Sequence, residues 1–119
     1  MLLYNILMMK KDNAMIQIKK GALEFCVLAV IAWEERYGYE IVKVLNEHGL
    51  TTPEGTIYPL LARLKKEGLV TATWRETAQG NPRKYYRVTD KGKTALDEFK
   101  RSWSEFTETV NSILKGGPA

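Results

Sequence analysis

Between Thr51 and Leu69 the apolar residues Ile57, Leu60, Leu61 and Leu64 recur at i, i+3, i+4 and i+7. That spacing puts them on one face of a helix. The opposite face carries Thr56, Tyr58, Ala62, Arg63 and Lys66. A hydroxyl, a phenol, a methyl group and two cations suit a nucleic-acid groove better than a catalytic cleft. Thr52 before Pro53 predicts the start, with a capping hydroxyl and a proline where no N–H is needed. Gly68 predicts the stop. The pattern is that of a short helix fastened to a core on one side and polar on the other, as in the recognition helix of a helix-turn-helix. Pro59 conflicts with it, because proline within a helix removes one bond and costs about 3 kcal/mol. Either the helix begins near Gly55, so that only its first turn is affected, or it kinks.

The same patterning predicts the neighbours. Gly21 to Glu35 is apolar all round and must be covered on more than one side, by its own core and by a second subunit. Tyr37-Gly38-Tyr39-Glu40 opens a second helix with Ile41, Val42 and Leu45 as its stripe and an end near Gly49. Gly38 permits close backbone approach or an unusual turn. Tyr39, near a helix N-terminus, is placed either to reach a phosphate or to pack on the next helix. Val70–Glu76 and Lys84–Thr89 are rich in strand formers, and Ala78–Pro82 between them holds turn residues. A hairpin following a recognition helix is a wing, with Arg83 and Lys84 expected at its tip, facing a phosphate backbone or the minor groove. Thr89-Asp90 starts a last helix. Along it Leu96, Phe99, Trp103, Phe106, Val110 and Ile113 are spaced 3, 4, 3, 4, 3, a heptad seam that asks for a partner helix. Its rings are bulky for a tight two-stranded seam, so the helices are expected to splay, with the partner's first helix filling the gap.

The expected fold is mainly α with a small β-hairpin: a winged helix-turn-helix over residues 19–89 and a long C-terminal dimerisation helix over 90–115. An N-terminal extension spans 1–18 and a tail 116–119. The 119 residues suit one domain. The net charge is +4. From Arg63 to Lys93 nine basic residues face three acids, a local excess of six that outweighs the excess of the whole chain. That concentration points to an anionic partner at the recognition helix and wing. The single Cys26 excludes a disulfide framework and a cysteine zinc site within one chain, and its apolar surroundings predict a core thiol. The single His48 reads as a helix-end residue. Lys19 and Lys20 are placed either to reach a phosphate or to remain solvated. No stretch is apolar enough to span a membrane. Met1–Met9 lacks the flanking charge and cleavage site of a signal peptide, and Met8, Met9 and Met15 are alternative starts.

The order helix, helix, helix, hairpin, long helix is here joined to particular residues. They are Gly21 through Leu28, Tyr37-Gly38-Tyr39-Glu40-Ile41, Glu54-Gly55-Thr56-Ile57-Tyr58-Pro59-Leu60-Leu61, Arg63-Leu64, Glu67-Gly68-Leu69, and Arg83-Lys84-Tyr85-Tyr86-Arg87 with Thr89 and Gly92. Together, from about Gly21 to Trp103, these runs resemble the PadR family of bacterial transcriptional regulators, in its smaller form with a single C-terminal helix. The resemblance implies a cytoplasmic homodimeric repressor of a palindromic double-stranded DNA operator, responsive to a small aromatic compound. It implies DNA contacts from Tyr39, Thr56, Tyr58, Arg63 and Lys84, to which position on the wing adds Arg83. It also implies a planar guest between Trp103 and its symmetry mate, with Phe99 and Phe106 beside it; the competing expectation is that Trp103 fills the dimer core. Residues Met1 to Ile18 depart from the family pattern.

Two other classes compete. A winged helix that has lost DNA binding would serve as a protein-interaction module, against which the local basic excess argues. An enzyme would need a nucleotide loop, metal-ligand spacing or a paired nucleophile and base, and the sequence offers none. No catalytic residue, metal ligand or cofactor is expected.

Overall fold

The computed structural model describes residues 22–116. The expectations for residues 1–18, for Lys19, Lys20 and Gly21, and for 117–119 lie outside those residues. Among the described residues there are four helices and a three-stranded antiparallel sheet. Helix α1 covers residues 22–33, β1 Arg36–Tyr37, α2 Gly38–Glu47 and α3 Glu54–Lys66. Strands β2 (Val70–Arg75) and β3 (Arg83–Val88) form the wing, and α4 runs Asp90–Leu114.

The apolar stripes meet in one core. Leu23, Val27, Leu28, Val30 and Ile31 of α1 pack with Ile41, Val42 and Leu45 of α2 and with Ile57, Leu60, Leu61 and Leu64 of α3. Leu69, Val70 and Tyr86 close it from the sheet and Leu96 from α4. The periodicity read along α3 is thus the face that is buried.

The ends of the helices show how local chemistry sets the turns. Tyr37 is the N-cap of α2, and its N–H donates to the Glu40 carboxylate at 3.3 Å. At the other end Gly49 takes φ +83° and Leu50 N–H donates to Leu45 O at 2.9 Å. His48 lies at this end as expected, its Nδ1 2.9 Å from Val44 O. Gly68, at φ +77°, ends α3 in the same way. The expected cap of α3 is not formed. Pro53, not Thr52, is the N-cap, and Thr52 Oγ1 donates backwards to Leu50 O at 3.2 Å. Thr52 is buried, so its hydroxyl satisfies the loop before the helix rather than the helix itself. Pro59 lies inside α3. The bond it cannot make would end on the carbonyl of Gly55, at the exposed start of the helix, where water can replace it.

The sheet has the order β1-β3-β2. The hairpin pairs Val70 with Val88 through to Arg75 with Arg83. The two-residue β1 adds Arg36 opposite Tyr86 and Tyr37 opposite Tyr85. Period-2 patterning has nothing to register in two residues, so the expected hairpin becomes a three-stranded sheet. Arg83 and Lys84 open β3 rather than occupying the turn; the turn is 76–82.

Helix α4 begins as its sequence predicts, Thr89 Oγ1 accepting from Gly92 N–H at 3.0 Å. Its start is fastened to the turn that ends α3: Thr89 N–H donates to Leu69 O at 3.0 Å, and Thr89 Oγ1 donates to Gly68 O at 2.6 Å. The seam then divides. Leu96 is 5% exposed, and Phe99 stacks on Phe25 of α1 at 4.0 Å between ring centroids. Thus the N-terminal end of the expected partner-seeking stripe is satisfied within the chain. The C-terminal end is not: Trp103 is 42% and Phe106 61% exposed, and Ile113 and Leu114 are more so.

Candidate nucleic-acid interface

Helix α3 carries two polar rows. Tyr58, Ala62, Lys65 and Lys66 run along one flank, and Thr56 and Arg63, seven residues apart, run along the other. The first row faces the wing across an open groove of about 810 Å³. Its far wall is Trp74, Pro82, Arg83, Lys84 and Tyr86, and its inner end is Tyr37 and Gly38 at the start of α2.

The cations of this groove are not equivalent. Arg83 lies 4.5 Å over the Tyr37 ring and donates from Nη1 to the Tyr37 hydroxyl at 3.1 Å. It therefore braces the wing against α2 as well as charging the groove. Arg75, at the end of β2 and outside the groove lining, is held by Glu35 and lies 4.8 Å over the Tyr85 ring. Lys84 is steadied by rings, with Nζ 6.0 Å from the centre of Trp74 and 5.8 Å from that of Tyr86. Among the described residues its ammonium has no acidic partner, which leaves its donors to an anion. Burial, and then the nearby Tyr58 phenol, push the Tyr86 phenol above its ordinary value, which keeps it neutral in the groove wall.

The structure brings together Tyr58, Arg83 and Lys84 on this groove. Tyr39 is exposed on the first turn of α2, its ring centre 6.4 Å from that of Tyr37. Thr56 is exposed on the first turn of α3, outside the groove lining. Arg63 points away from the wing and forms an ion pair with Glu24 of α1 at 3.1 Å. In this arrangement it is occupied; both side chains are partly exposed, so an anionic partner can compete for the guanidinium.

Sequence reasoning missed Lys65 and Trp74. Lys65 follows from the spacing i, i+4, i+7 once Tyr58 and Ala62 are on the groove flank. Trp74 follows from register, because it pairs with Lys84 while Ala72 pairs with Tyr86, and alternate residues share a face.

One further expected site lies away from the groove. Phe25, Phe99 and Trp103 form a ladder, with Phe99 and Trp103 5.7 Å apart and 24° between planes. Phe106 stands beyond it, exposed. Cys26 is half-buried rather than enclosed, in an apolar dimple with Trp33 and His48, and burial pushes its thiol up. Among the described residues no helix is long and apolar enough to cross a membrane.

The profile of the transcriptional regulator PadR-like family matches residues 27–98. A transcriptional regulator of Mycobacterium tuberculosis, Rv3488, is 32% identical over 94 residues, covering 79% of this chain and 87% of that protein. Among solved structures, a PadR-like regulator from Bacillus cereus superposes with a TM-score of 0.77 at 49% identity, covering 85% of this chain and 99% of that one. A PadR family regulator from Eggerthella lenta covers 98% of this chain and 100% of its own, with a TM-score of 0.83 at 32% identity.

Proposed function

Because the chain belongs to the PadR-like family of transcriptional regulators, we propose that it is a homodimeric repressor that grips a palindromic operator between α3 and the wing. The observation that carries this reading is the groove itself. It is walled by a helix flank and a strand face, lined with aromatic rings and charged by Lys65, Lys66, Arg83 and Lys84. In this reading Lys84, Arg83 and Tyr39 hold the phosphate backbone, and Tyr58, Thr56 and Arg63 lie at base edges. Arg63 releases Glu24 to do so. The exposed C-terminal half of the α4 stripe is the dimer surface, joined by α1 of the partner. Trp103 and its mate face each other there and take a planar aromatic effector.

Footprinting on DNA upstream of the protein's own gene, repeated at several salt concentrations, tests the DNA reading. Protection of a palindrome is expected, with affinity falling steeply as salt rises because phosphate contacts release counterions. Lys84→Ala should weaken binding to every duplex and lower the salt slope by about one. Salt-independent binding, or a monomer in sedimentation at micromolar concentration, refutes the proposal. The effector is tested by fluorescence with Trp33 and Trp74 replaced by phenylalanine, leaving Trp103 as reporter. Quenching by planar aromatics, lost in Trp103→Ala while the dimer persists, is the expected outcome. Loss of the dimer together with indifference to an aromatic panel assigns Trp103 to the dimer core instead.

A further inference from the structure

Gly38 is the first residue of α2 and is buried. Its φ is not positive, so the backbone there does not call for glycine. The side chain of Tyr58 does. A Cβ on residue 38 would lie 2.7 Å from Tyr58 Cε1, 2.9 Å from its hydroxyl and 3.0 Å from Cζ. The three nearest atoms all belong to this one ring. The phenol of α3 therefore packs on the bare α-carbon that opens α2, in the groove lining it shares with the buried Tyr86.

We propose that Gly38 is a positioning residue for DNA binding, its missing side chain being the seat that fixes the Tyr58 ring in the groove wall. The inference rests on the groove being the DNA interface. A half-exposed tyrosine on a helix has two open χ1 wells. A seat on α2 selects one of them before DNA arrives, so less side-chain freedom is lost on binding.

The test is a double-mutant cycle of Gly38→Ala and Tyr58→Ala, read by fluorescence anisotropy on the footprinted operator duplex. Gly38→Ala is expected to weaken binding roughly two- to tenfold, the scale of one side chain left to be ordered. Tyr58→Ala should weaken it at least as much, and the double variant no further than Tyr58→Ala. In the free protein the Tyr58 ring resonances, identified by their loss in Tyr58→Ala, should shift in Gly38→Ala with no fall in melting temperature. Wild-type binding by Gly38→Ala, or equal weakening in both backgrounds, overturns the inference and leaves the DNA reading intact. So does a Gly38→Ala protein that unfolds whether or not Tyr58 is present. Undiminished binding by Tyr58→Ala overturns the base-edge assignment of Tyr58 and the seat with it.

Discussion

Gly92→Ala is the substitution for which the structure predicts the largest effect from the smallest change. Gly92 is in the first turn of α4, is buried, and has no positive φ. In an open helix, alanine there would stabilise by about 0.5–1 kcal/mol. Here the added methyl would meet Val88 Cγ2 at 2.7 Å and the Leu69 carbonyl carbon at 3.1 Å, and the carbonyl oxygen more closely still. Ordinary contact begins near 3.4 Å, so α4 must move about 0.7 Å from Val88 alone, and further from the rigid carbonyl. That movement pulls on the bonds that fasten α4 to the end of α3: Thr89 N–H to Leu69 O, Thr89 Oγ1 to Gly68 O, and Lys91 Nζ to Glu67 O at 2.8 Å. Overpacking costs about 1–3 kcal/mol and each weakened bond about 1 kcal/mol. With all three bonds weakened and the helix gain subtracted, the net loss is about 3–5.5 kcal/mol, a large share of the roughly 5–15 kcal/mol of a whole domain. Urea unfolding followed by circular dichroism, at one protein concentration, measures it. Gly55→Ala is the control, because a Cβ there meets nothing within 4 Å, and it should unfold no earlier than wild type. A Gly92→Ala protein within about 0.5 kcal/mol of wild type would refute the reasoning, since surface changes without such a clash fall in that range.

Three more predictions follow from the same geometry. Thr89→Val keeps the shape but loses the cap to Gly92 and the bond to Gly68, and should cost about 1–2 kcal/mol in the same unfolding assay. Glu24→Gln should leave stability within about 0.5 kcal/mol, because the pair with Arg63 is partly solvated, and should tighten operator binding by up to about fivefold by freeing Arg63; weaker binding would remove Arg63 from the interface. Burial raises the Cys26 thiol above its ordinary 9.0 and the Tyr86 phenol above 10.0, so both groups ionise more readily when unfolded. Stability should therefore be level with respect to these groups below pH 9 and fall as pH rises through the thiol and then the phenol values; Cys26→Ala should delay the onset, and an unchanged onset would assign the loss to Tyr86.

The helical parts of this protein were legible because their signals are local. A 3.6-residue period at Ile57, Leu60, Leu61 and Leu64 needs only one buried face to be true, and all four are buried. Positive-φ glycines at 49 and 68 and the Thr89 cap act within a turn of their own position. The wing was legible for the same reason, since strand formers flank turn residues in sequence. What the chain could not announce by itself was decided by elements meeting from far apart. β1 exists because β3 passes beside two residues. Thr52 turns back to its loop, and Arg63 is drawn to Glu24, 39 residues away. The periodic stripe on α4 reads as one seam, yet its upper half is claimed by α1 and its own core while its lower half stays open. The glycine at 38 is ambiguous in sequence, because a bare α-carbon serves either an unusual φ or a close neighbour. Only the packing of α3 across α2 shows that the neighbour is Tyr58. Periodicity determines which face of each element is buried; which partner that face meets depends on chain crossings whose contacts have no period in the sequence.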